Sequence, residues 1–205
     1  MKRIMTRVWI SAALVLSISG KGQDSLFISE IADPADDYTG SFVELYNAGS
    51  LAVDFSSTTF YLSRQSNGGT SWGDLQLSGA VAPGETYVIV GSGFELLYGF
   101  APDQVSGILI GNGDDAYSLY RDGDHASGIL QDIYGEINVD GTGTLWEYTD
   151  SRAERVDSII LPNASWTEDE WDISFANIAD ASPGSHTVTS AGDTIPTMGD
   201  HALYI

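Results

Sequence analysis

The sequence predicts an all-β protein of sandwich or barrel type. Short stretches rich in Val, Ile, Tyr, Phe and Trp recur along the chain, Gly, Asn, Asp and Ser separate them, and almost nothing keeps a helical period beyond two turns. Many short strands with turns at this spacing are the pattern of a β-sandwich or barrel. The chain has no cysteine, so its core, or a metal, has to hold it together without disulfides.

In chain order, strands are expected near Leu26–Ile31, Phe42–Asn47, Ala52–Phe55, Phe60–Ser63, Asp74–Leu77 and Tyr87–Val90, and then near Ala116–Tyr120, Ile129–Tyr134, Leu145–Thr149 and Arg155–Ile159. Alternation puts Phe42, Glu44 and Tyr46 on one face of the second strand and Val43, Leu45 and Asn47 on the other, with one face turned to a core. Phe42 or Val43, Leu45, Tyr87 and Trp146 are expected to point inward. Turns follow from Asn67-Gly68-Gly69, Pro83-Gly84, Gly111-Asn112-Gly113-Asp114, Arg121-Asp122-Gly123-Asp124 and Pro183-Gly184, which tolerate positive φ or preset a bend. Two short helical pieces are expected, at Phe94–Tyr98 and at Thr167–Trp171. In the second, Thr167 and Glu170 have the spacing of a capping box.

The two ends read differently from the rest. Lys2, Arg3 and Arg7, an apolar run from Val8 to Ile18 and a small-residue stretch through Gly22 have the layout of a secretory signal peptide, so residues 1–22 are expected to be a cleaved leader and the protein to be secreted or at the cell surface. The run is shorter than the ~20 residues of a membrane span. Without the leader, Lys2, Arg3, Arg7 and Lys21 go and no acidic residue does, so the formal charge moves from −21 to −25, with Arg64, Arg121, Arg152 and Arg155 the remaining fixed cations. That charge disfavours nucleic acid, whose binding rests on several Lys or Arg contacts to phosphate. It suits solubility in salty media or divalent-cation binding. Residues 23–190 are long enough for one domain burying roughly 70% of its unfolded surface, followed by a polar tail, 191–205.

Several stretches resemble a known family in the right order. Phe27-Ile28-Ser29-Glu30-Ile31 followed by Phe42-Val43-Glu44-Leu45-Tyr46-Asn47 resembles the start of a lamin-tail domain. Val53-Asp54-Phe55 and Gly79-Ala80-Val81-Ala82-Pro83-Gly84 leading into Tyr87-Val88-Ile89-Val90 are similar to its middle hairpin. Asn112-Gly113-Asp114-Asp115-Ala116-Tyr117-Ser118-Leu119-Tyr120 and Asp132-Ile133-Tyr134-Gly135 resemble the back half of bacterial members, and Trp146 to Arg155 with Trp166, Trp171 and Pro183-Gly184-Ser185-His186 an extension that follows the domain there. The resemblance implies an immunoglobulin-like β-sandwich with a C-terminal extension. It further implies a bacterial, non-catalytic interaction or anchoring module, of a kind that accompanies secreted nucleases and other hydrolases. The partner would be a protein or surface ligand, whose identity the sequence leaves open. Ile195-Pro196-Thr197-Met198-Gly199-Asp200 resembles the opening of a bacterial sorting tail, with His201 where such tails carry tryptophan. Membrane association would then run only through a segment beyond Ile205, and a solvated polar tail is the other reading.

Four constellations bear on chemistry. Gly69-Thr70-Ser71-Trp72-Gly73 spells a nucleophile elbow but lacks the strand before and helix after that would strain the serine, so Ser71 is not expected to be catalytic and Trp72 is expected to cover a core edge. His125, His186 and His201 are too widely spaced for a zinc site, and His186 reads as a turn residue. Acidic loops are the candidate ligands for Ca²⁺, which takes six to eight oxygens. They comprise Asp114 and Asp115, Asp122 and Asp124 at the far end of the same strand roughly 17 to 20 Å away, and Asn138 with Asp140, which open a calcium-loop spacing that Thr149 fails to close. Glu30 and Glu44 on adjacent strands are the pair that a small secreted hydrolase, the alternative reading, would use as acid and base. No cofactor other than calcium is expected.

Overall fold

The computed structural model describes residues 25–189. The leader reading for 1–22, the tail reading for 191–205 and the one for His201 lie outside the described residues. Among these residues, no helix is long and apolar enough to cross a membrane.

The all-β expectation holds. The strands are β1 (Leu26–Asp33), β2 (Phe42–Asn47), β3 (Val53–Asp54), β4 (Phe60–Gln65), β5 (Trp72–Gln76), β6 (Ala80–Val81), β7 (Thr86–Val90), β8 (Gln104–Val105), β9 (Ala116–Arg121), β10 (Ile129–Tyr134), β11 (Ser151–Arg155) and β12 (Trp171–Phe175). One sheet runs β12-β11-β1-β2-β7-β8, a second runs β10-β9-β4-β5, and β3 and β6 form a small ladder. Every pair is antiparallel except β7 with β8. Ile28, Val43, Leu45 and Ile89 from the first sheet meet Phe60, Leu62, Tyr117 and Leu119 from the second in one core, as two sheets with apolar inner faces must.

A bulge between Ile28 and Glu30 sets what the larger sheet buries. Ser29 is the extra residue, and the alternation resets across it. Ile28 and Ile31 therefore both join the core, while Glu30 lies on the outer face directly opposite Glu44. That outer face is covered too. Helix α1 (Phe94–Tyr98) brings Phe94 onto Phe42, Val88 and Val90, and the chain from Ala176 to His186 crosses the same face as a strap. All six residues of β2 are consequently buried, not one face of it, and Phe42 sits under α1 while Val43, Leu45 and Tyr87 point into the core.

Three expected elements need correction. Leu145–Thr149 is not a strand. Its backbone turns on itself, with Thr144 N–H donating to Gly141 and Tyr148 N–H to Gly113 across 2.7 Å, and Trp146 enters the core from this loop with its carbonyl accepting the Tyr134 hydroxyl at 2.8 Å. Arg155–Ile159 is displaced: the strand is Ser151–Arg155, and Arg155 is its inward-facing last residue. Thr167–Trp171 is a single 3₁₀ turn, Glu168–Glu170, running into β12. Thr167 makes no side-chain capping bond; the Glu170 N–H donates to the Thr167 carbonyl instead, and the Glu170 carboxylate is turned to Arg155 and Asn163 at 2.8 and 2.7 Å. The α1 expectation matches residue for residue.

Trp146 is packed edge-on to Tyr134 and almost wholly buried. Trp146→Ala is expected to destabilise by about 3 to 5 kcal/mol in chemical denaturation; a loss within about 0.5 kcal/mol, the surface range, would contradict the packing.

Candidate functional site

At the end of the sandwich where β1 and β7 finish and β2 and β9 begin, three loops meet. They are the Ser66–Gly68 turn between β4 and β5, the loop from Leu109 to Asp115, and the long loop from Gly135 to Asp150. Two glycines let them touch. A Cβ on Gly113, whose φ is +86°, would lie 2.2 Å from the Thr149 backbone, and one on Gly141 would lie 2.6 Å from the Asp114 carbonyl oxygen.

Four of the six acidic and amide candidates converge here. Asp115 pairs with Arg64 at 2.6 Å and accepts the Asn67 N–H at 2.7 Å. Asp114 Oδ2 accepts from the Asn67 and Asn112 amides at 3.2 and 3.1 Å. The Thr142 hydroxyl sits between Asp114 Oδ2 at 3.2 Å and Asp140 Oδ1 at 2.8 Å. Asn138 is clamped by Gln65, which accepts its N–H at 2.7 Å and donates to its side-chain oxygen at 3.0 Å. Asp114 Oδ1 is buried and has no hydrogen-bond partner among the described residues. Burial, with Asp115 next, raises the Asp114 pKa, and burial does the same for Asp33 nearby.

Asp122 and Asp124 do not join them. They lie beyond the other end of β9, where Asp122 contacts Arg121 and Asp124 accepts from Ala126 N–H and the Ser127 hydroxyl. Thr149, where a calcium loop would close, donates to the Asn112 carbonyl at 2.8 Å. Among the described residues no three His, Asp or Glu side chains are grouped to hold a metal ion. These carboxylates mostly satisfy backbone and side-chain donors of their own loops.

The loop after β9 folds over the outer face of the second sheet, where His125 stacks on Trp72, with planes 2° apart, and its Nδ1 meets the Asp74 carboxylate at 2.8 Å. Trp72 thus forms a platform for His125 and does not seal a core edge. Ser71 precedes β5 in a hairpin, with no helix after it.

Glu30 and Glu44 are the pair that the sequence brought forward as acid and base, and the strap closes over both. Glu30 accepts from the Ser182 N–H at 3.1 Å and the Ser182 hydroxyl at 2.8 Å, with Arg152 3.7 Å away. Glu44 accepts from the Ser29 hydroxyl at 2.7 Å and the Gly184 N–H at 2.6 Å. His186 then packs edge-on against Tyr46 and Phe27, so it anchors the strap and is more than a turn residue. The sequence placed these strap residues in an extension without saying what it covers; the clue was the run of small residues Ala181-Ser182-Pro183-Gly184-Ser185, which can lie flat on a sheet.

The sequence matches no protein family, and no curated protein is significantly similar to it.

Burial drives the Glu44 carboxyl up from 4.5 to about 8, helped by the neighbouring Glu30, which is itself raised by burial. A group whose pKa rises on folding binds its proton more tightly in the folded state, so its contribution is fully present below about 4.5 and is lost as pH climbs through about 8. His186 works oppositely, since burial lowers its pKa from 6.5 and stability falls as acid protonates it. The other groups facing the pair are Arg152, Glu154 and Tyr98. Glu44→Gln is expected to remove on the order of 2 to 4 kcal/mol of the stability loss between pH 5 and pH 8.5, read as urea midpoints at several pH values. An unchanged pH slope in the variant would show that Glu44 ionises freely.

Proposed function

We propose that the chain is a non-catalytic extracellular interaction module of the lamin-tail, immunoglobulin-like type, in which the sandwich is a rigid support and the loop end carries recognition. The observation that carries this reading is the use made of the carboxylates. The two adjacent ones best suited to acid and base work, Glu30 and Glu44, are nearly fully buried and hold strap N–H groups, which leaves no room for a substrate bond between them. The loop carboxylates near Asp114 likewise support loop geometry. The same end also exposes apolar side chains: Tyr38, Val105 and Ile110 stand out from the surface around a cavity of about 340 Å³. Side chains of this kind, left exposed together, fit recognition better than chemistry.

The arginines support a protein or surface partner over nucleic acid. Arg64, Arg121, Arg152 and Arg155 each lie against a carboxylate, and Arg155 is buried.

The purified protein is expected to give no turnover above buffer with chromogenic esters, glycosides and phosphodiesters. Turnover abolished by Glu30→Gln or Glu44→Gln would replace the module reading with the hydrolase one. In fluorescence anisotropy at about 0.15 M salt with chelator present, duplex DNA is expected not to bind at micromolar protein; binding that weakens steeply with salt would reveal a basic surface.

A further inference from the structure

The apolar cavity does not stand alone. Tyr38, Ile110 and Gly111 form one wall of it and also one wall of a wider groove beside it, whose other lining includes Asp33, Asp36, Asp37, Asp114, Glu147 and Asp150. An apolar recess thus opens directly into a carboxylate-lined channel. Tyr38 is 79% exposed, Ile110 71% and Val105 61%. Among the described residues, arginine ion pairs are made with Asp115, Asp122, Glu30, Glu154, Asp132 and Glu170. At the groove's inner wall Asp114, 5% exposed, carries the buried oxygen that no donor among the described residues reaches. An acceptor left so is unfavourable until a donor arrives.

Resting on the module reading above, we propose that this continuous groove docks a peptide segment carrying a lysine or arginine within a few residues of a large apolar side chain. The apolar residue fills the recess among Tyr38, Val105 and Ile110, and the cationic end lies along Asp33, Asp114 and Asp150. The chemistry selects this occupant over others. A divalent ion lacks its cage, since no three acidic or histidine side chains are grouped for one among the described residues. A second copy of this chain would set a formal charge of −21 against itself. A nucleic acid would meet the wrong sign of charge. A basic segment meets the right sign, brings N–H donors, and has an apolar recess of about 340 Å³ for its anchor.

The test selects random twelve-residue peptides displayed on phage against the purified protein and measures the enriched sequences, synthesised with a fluorescent label, by anisotropy. The expected result is enrichment of sequences with Lys or Arg close to Leu, Ile or an aromatic residue. Their affinity should fall at least about tenfold in Ile110→Ser and in Asp150→Asn and stay unchanged in Leu161→Ser, an exposed apolar position outside the groove. Both groove substitutions are at exposed side chains, and Asn tolerates the φ of +53° at position 150, so the variants keep the fold. Failure to enrich any peptide, or binding indifferent to Ile110→Ser and Asp150→Asn, overturns the docking proposal and leaves the module reading standing. Saturable calcium binding that vanishes in Asp114→Asn overturns it in favour of a metal site. Cleavage of a groove-dependent peptide by the protein would instead sink the module reading.

Discussion

The buried ion pair between Arg155 and Asp132 is the point on which the sandwich closes. Arg155 is the inward last residue of β11 in one sheet and Asp132 belongs to β10 in the other, and neither side chain reaches solvent. Arg155 donates to both Asp132 oxygens at 2.8 and 3.0 Å, to the Ile28 carbonyl at 3.2 Å and to Glu170 at 2.8 Å. Asp132 in turn accepts the Ile28 and Asn163 N–H groups, each at 2.7 Å. The guanidinium also lies 4.4 Å from the Trp171 ring centre. Burial pushes the Asp132 carboxyl up to about 6, against the pull of the guanidinium and the two N–H groups. A buried pair of this kind contributes little net stability when complete, yet leaving one partner alone is unfavourable by roughly 3 to 5 kcal/mol. Its consequence is therefore geometric: β1, β10, β11, the Asn163 turn and the approach to β12 are held in one arrangement.

The bulge at Ser29 belongs to the same node. Pairing of β1 with β11 runs from Asp33 to Glu30 and stops there, and at Ile28 the Asp132 and Arg155 side chains take the place of a neighbouring backbone. With the alternation reset, Glu30 comes to the outer face beside Glu44. Two adjacent carboxylates in that position need donors, and the strap supplies them through Ser182 and Gly184. The covering of the outer face thus follows from where the bulge falls. At the loop end of the sandwich Tyr38, Val105 and Ile110 stand exposed among the described residues.

Many of the strand positions along the chain were legible in the sequence because alternation and turn chemistry are local signals. β2, β10 and α1 fall where they were expected, and the turns at Asn67, Asp122 and Gly184 do adopt positive φ. The misplaced elements share one property, which is that a distant charge or ring decided them. A strand ending on an inward arginine does not read as alternating, since only Asp132 makes that burial tolerable. Glu170 looked like half of a capping box because Arg155 is invisible to local spacing. Trp146 looked like a strand residue, whereas it drops into the core from a loop that Gly113 and Gly141 allow to pack closely.

The sequence by itself determined the all-β class, the positions of most turns and a surface charge that disfavours nucleic acid, because composition and short-range backbone preference suffice for each. Only the tertiary structure decided what the acidic residues do. Asp114 and Asp140 were readable as possible ligands and Glu30 and Glu44 as possible catalysts. Their roles depend on partners such as Thr142, Asn67, Ser182 and Gly184, up to 152 positions away in the chain. A carboxylate's chemistry is set by the donors and the burial around it, and folding alone brings those together.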